Sequence, residues 1–186
     1  LKPGSDFGMA IAQALKITKK DYHELVKKFW FKRKLTAKEF AQVLLDETRS
    51  NEVSIDYLTD QILSPVGRHS LYPEVRRNLE RLYKINKLVL ISDTSSLGQQ
   101  MFYDLQISKF FQRVYFSCEV GLTKEEGLYQ VAFKDLRVKP QEVVVVGDSL
   151  EEDYYLPLRL KSQAILIDRN NKYPSQKSIK SLDELK

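Results

Sequence analysis

The chain has 186 residues, a formal net charge of +5, 42% hydrophobic and 30% charged residues. That length suits one domain, or one domain with a modest insertion, and the composition excludes disordered and fibrous classes. A pI near 9.1 leans toward anionic partners, but the Lys and Arg are spread along the chain and not gathered in one tail.

Cys118 is the lone cysteine. It rules out an internal disulfide and fits the cytoplasm. No apolar run approaches the roughly 20 residues of a membrane span, and no apolar leader opens the chain. The first residue is Leu1, not Met, which raises the expectation of further residues upstream.

The first third reads as helices with clear start signals. Ser5 precedes an apolar-periodic run to Leu15, Thr18 and Asp21 have capping-box spacing, and further helices open at Thr36 and Ser54. Residues 5–64 are therefore predicted to form an all-helical unit. From Pro73 the pattern changes to helices alternating with short β-branched runs at Leu88–Ile91, Val114–Phe116, Val143–Val146 and Ala164–Ile167. Such unbroken apolar runs are expected of parallel strands covered on both faces. The segments Gly98–Phe110, Glu125–Leu136 and Glu152–Leu160 are long enough to be crossover helices. The predicted architecture is α/β: a Rossmann-like three-layer parallel-sheet core (71–186) with an all-helical cap (1–70).

Ligands of an open parallel sheet sit beyond the carboxyl ends of its strands. The runs end in Ser92-Asp93-Thr94, in Ser117-Cys118-Glu119 with Lys124 beyond, and in Gly147-Asp148-Ser149 with Asp153 beyond. Asp148 and Asp153 are hard oxygen donors suited to Mg²⁺, though turn formation and helix capping account for them equally well. Lys124 could neutralise a phosphoryl group, but single lysines are mostly solvated. Ser92 could donate to a phosphoryl oxygen, but serine at a strand end is more often a turn former.

Taken in order, Leu88-Val-Leu-Ile-Ser-Asp-Thr-Ser-Ser96, Gly121-Leu-Thr-Lys124 and Val143-Val-Val-Val-Gly-Asp-Ser-Leu-Glu-Glu-Asp153 resemble the second, third and fourth motifs of the haloacid dehalogenase-like superfamily, phosphatase type. The resemblance implies phosphoryl transfer to an aspartate, with Mg²⁺ as cofactor and a small phosphorylated substrate. It implies Ser92, Asp93 and Lys124 at the phosphate, Ser92 and Lys124 as catalytic groups, and Asp148 and Asp153 at the metal. Lys124 is followed by Glu125-Glu126 where the family has Pro and an acid, and the segment up to Tyr129 is one residue short.

The first motif, an apolar strand ending in Asp-x-Asp, is absent from the 186 residues. Asp6 follows too few residues to end a buried strand. The resemblance places the absent strand between those at Leu88–Ile91 and Val143–Val146, and the nucleophile upstream of Leu1. The chain as it stands is therefore expected to be inactive. Competing readings are a metal-free dehalogenase and a catalytically dead binding protein.

The basic-aromatic stretch Lys27–Lys34 could suit nucleic acid, but it reads better as a packed amphipathic helix end. His69 reads as a loop residue and Cys118 as a packed thiol. No nucleic-acid or membrane partner is expected, and a homodimer is left open.

Overall fold

The structure is a computed structural model describing residues 7–64 and 69–185. Helices α1 (Phe7–Ala14), α2 (Lys19–Leu25), α3 (Ala37–Thr48) and α4 (Ile55–Leu63) form the helical unit, and α2 continues into a π turn, Val26–Trp30. Thr18 and Thr36 close capping boxes with Asp21 and Glu39, and the Ser54 hydroxyl accepts from the Tyr57 amide. Each supplies an acceptor to an amide that the helix start leaves unpaired. The predicted start at Ser5 lies outside the described residues. Ile11, Phe40, Ala41, Leu44, Leu58 and Ile62 are fully buried in this unit, and Trp30 stacks on Phe40 with ring centroids 4.3 Å apart.

The α/β part runs α5 (Val75–Leu82), β1 (Val89–Ser92), α6 (Ser96–Asp104), β2 (Arg113–Phe116), α7 (Ser117–Val120), α8 (Tyr129–Leu136), β3 (Val144–Gly147), α9 (Leu156–Arg159), β4 (Gln163–Ile167) and β5 (Ser178–Ile179). All ladders are parallel: β1 with β2, β3 with β4, and β4 with β5. The four strands read from the apolar runs fall within one residue of expectation at each end. The two-residue β5 carries no pattern long enough to read. The segment expected as one helix over Gly98–Phe110 is instead α6 followed by a 3₁₀ turn, Ser108–Phe110, because Gln106 takes a left-handed conformation at the helix end. The helix expected over Glu125–Leu136 is broken at Gly127, whose φ of 124° no helix accommodates.

The sheet is in two pieces. Among the described residues no ladder joins β1 to β3, so each has one paired and one unpaired edge. On the β1–β2 piece, Leu79, Phe102, Phe110 and Phe116 pack one apolar cluster, while Tyr115, Leu128 and Ala132 pack another. On the other piece Val144 and Val146 remain 49% and 38% exposed, although β-branched strand residues of this kind are ordinarily covered. No described helix is long and apolar enough to cross a membrane.

Candidate active site

The two sheet pieces meet at their carboxyl ends through one lysine. Asp93, directly after β1, accepts the Lys124 backbone amide with both oxygens, at 2.9 and 3.2 Å. The Lys124 ammonium reaches across to Asp153 Oδ1, in the turn after β3, at 2.6 Å, with both side chains about 10% exposed.

Local sequence explains how these groups are aimed. Gly121 ends α7 in the left-handed conformation, φ 81°, and turns the chain so that Thr123 caps the π turn Lys124–Leu128. At the end of β3, Gly147 lies against Asp153 so closely that a Cβ would overlap the carboxyl group. The glycine is needed here for that close approach. Asp153 Oδ2 accepts the Ser149 amide at 3.2 Å, and Oδ1 also accepts the Tyr129 hydroxyl at 3.1 Å. Burial pushes the Tyr129 hydroxyl well above the ordinary phenol range, and the Asp153 charge adds to this, so it serves as a donor.

Burial raises the Asp93 carboxyl to about 6; the Lys124 amide and ammonium oppose this and Glu152 adds to it. A carboxyl poised near neutrality beside a buried ammonium is suited to proton transfer. It also has a consequence for stability. The folded value lies above the unfolded one, so the folded state binds the proton more tightly, and stability falls as pH rises from about 4 to about 6 and then levels off. Asp93→Asn lacks this group, so its stability relative to wild type is expected to improve across that window. Urea unfolding of both proteins at several pH values checks this; a difference constant across the window refutes it.

The structure brings Lys124, Asp93 and Asp153 together. Ser92 is half-buried at the end of β1, beside Asp93, in register with Phe116. Asp148 is exposed after β3, and no hydrogen bond links it to another described side chain. Among the described residues no three or more His, Cys, Asp or Glu gather as metal ligands. Asp153 has both oxygens engaged, so Asp148 is the carboxylate left open to a cation at this edge.

Two groups to which the sequence assigns no role also shape the site. Tyr129 was noted only as the end of the shortened segment, yet it fixes Asp153 and also donates to the Glu152 carbonyl at 3.1 Å. Ser117, fully buried, ties the loop after β1 to β2 by accepting the Thr94 amide at 2.9 Å and donating to the Thr94 carbonyl at 3.2 Å.

The family model for haloacid dehalogenase-like hydrolases matches residues 7–154. The chain belongs to this family. No curated protein is matched by sequence. Among solved structures, a HAD phosphatase from Thermococcus onnurineus superposes with a TM-score of 0.63 at 19% identity, covering 96% of this chain and 84% of that one. A HAD family enzyme from Bacteroides thetaiotaomicron in complex with magnesium and inorganic phosphate gives 0.64 at 15% identity, with coverage of 92% and 90%. A 2-haloacid dehalogenase from Pseudomonas syringae pv. Tomato gives 0.63 at 18% identity, with coverage of 98% and 79%. At such identities these likenesses establish a shared fold. The mixed α/β architecture described above, with parallel sheets and many helices, matches these neighbours.

Proposed function

We propose that this HAD-like hydrolase is a Mg²⁺-dependent phosphatase of a small phosphorylated metabolite, working in the cytoplasm. Residues 1–70 would serve as the cap that selects the substrate and 71–186 as the core. The observation that carries this reading is the buried Lys124, whose ammonium pairs with Asp153 after β3 and whose backbone amide is held by Asp93 after β1. A fixed positive charge in a water-poor cleft stabilises charge developing on a transferring phosphoryl group.

The nucleophile would be an aspartate at the end of a strand seated between β1 and β3. Its carboxylate oxygen attacks phosphorus, the ester oxygen leaves with a proton from a second acid, and water then cleaves the acyl phosphate. Ser92 would donate to a phosphoryl oxygen, Asp93 would border the phosphate, and Lys124 would balance its charge. Mg²⁺ fits Asp148 as an open hard-oxygen donor, with Asp153 supporting the site through Lys124 and the Ser149 amide. When bound, the metal would offset charge on the phosphoryl oxygens.

A dehalogenase is the second reading, favoured by the engagement of both Asp153 oxygens, which leaves one open carboxylate for a metal. The test is Asp148→Asn in a protein carrying the additional strand. Turnover of a phosphomonoester at saturating Mg²⁺ is expected to fall about 10²-fold or more, with the circular dichroism spectrum unchanged. Undiminished phosphatase activity would reduce Gly147-Asp148-Ser149 to a turn and cap. Turnover of a 2-haloacid without metal would favour the dehalogenase.

A further inference from the structure

The helical unit adheres to the core with little apolar contact. Among the described residues, Leu97 is the one side chain from the α/β part that joins the unit's hydrophobic cluster. Charge is arranged where apolar surface is scarce. Lys27 lies 3.0 Å from Glu152 and 3.5 Å from Glu125, Lys34 lies 2.7 Å from Glu119, and Lys32 pairs with Glu126.

The lysines all come from the segment that ends α2 and leads to α3. The glutamates all sit on the turns that build the candidate site: Glu119 before Gly121, Glu125 and Glu126 after Lys124, and Glu152 before Asp153. Three of the glutamates are held by the core itself. The Glu126 carboxylate accepts the Thr123 amide and hydroxyl, both at 3.1 Å, and Glu119 accepts the Gln99 side-chain amide at 2.9 Å. Glu152 is fixed through its backbone, its amide on the Ser149 hydroxyl at 3.2 Å and its carbonyl on the Tyr129 hydroxyl. The core thus presents a preset acidic row to a basic row on the helical unit.

We infer that Lys27, Lys32 and Lys34 with Glu152, Glu125, Glu126 and Glu119 form an electrostatic clasp that holds the helical unit closed over the Lys124 site and releases it as ionic strength rises. Each pair is partly exposed, so each contributes little alone; the row acts because the apolar contact it supplements is small. The inference does not depend on which reaction the site performs.

Hydrogen exchange of the 186-residue protein tests it without any turnover assay. Raising NaCl from about 0.05 M to about 1 M shortens the Debye length from more than 10 Å to about 3 Å. Amides of 26–35 and 117–126 are then expected to exchange about tenfold faster, the combined effect of three lysines whose pairings are each worth a factor of about two, while those of α8 do not change. In the variant carrying Lys27→Glu, Lys32→Glu and Lys34→Glu the same amides should exchange fast at low salt, and added salt should slow them, because attraction has become repulsion. No salt effect on the wild-type segments, or acceleration spread equally over α8, overturns the clasp. So does a triple variant as protected at low salt as wild type. If the triple variant does not fold, the wild-type salt series decides alone.

Discussion

On the proposed reading, a chain extended by a parallel strand ending in Asp-x-Asp is expected to hydrolyse a generic phosphomonoester with Mg²⁺, and residues 1–186 alone to do so at or near the uncatalysed rate. In the proposed site Ser92 and Lys124 would bind a phosphate and Asp148 would hold the metal, but a hydroxyl at a strand end and a salt-bridged ammonium do not replace a carboxylate nucleophile. In enzymes that work through a covalent intermediate, losing the nucleophile costs on the order of 10⁶ in rate, and binding groups alone retain only a small remainder. The strand is also expected to stabilise the fold, because the unpaired edges of β1 and β3 each gain a ladder. Phosphate release and thermal unfolding, measured on both chains, check the two halves of the prediction. Comparable turnover by the two chains refutes the nucleophile argument. An unchanged melting temperature refutes the seating between β1 and β3.

How much of this was legible depends on the range of the interactions involved. Strand positions and helix starts are local: β-branched runs such as Val143–Val146 and caps at Thr18, Thr36 and Ser54 announce themselves within a few residues. The order of the strand-end residues was also readable, since Ser92, Lys124 and Asp148 each follow an apolar run. That β1 and β3 share no ladder among the described residues is compatible with the expected intervening strand and does not by itself place it.

What was not legible is long-range. The resemblance implies Asp153 at the metal, but whether its oxygens stay open depends on Lys124 and Tyr129, which lie 29 and 24 residues away. The same holds for Lys27 and Glu152, 125 residues apart. The kink at Gly127 was foreshadowed only by the shortened segment before Tyr129, because a glycine in a polar stretch does not disclose its φ.

The second large effect concerns stability and can be read in the 186-residue chain itself. Lys124→Met is expected to cost about 3–5 kcal/mol, because it removes the partner of a buried charge and leaves the Asp153 carboxylate with only the Tyr129 hydroxyl and the Ser149 amide. The loss is not of packing, since Met preserves most of the lysine stem's volume. The double variant Lys124→Met with Asp153→Asn should therefore recover a large part of it: the charge that lost its partner is gone, and the Asn oxygen can still accept from Tyr129. Urea unfolding at neutral pH measures all three variants, with an unchanged m-value showing that the same surface is exposed. A single-variant cost under about 1 kcal/mol would mean that water screens the pair as it does at a surface. A Lys124 so screened could not supply the concentrated positive charge on which the phosphatase reading rests.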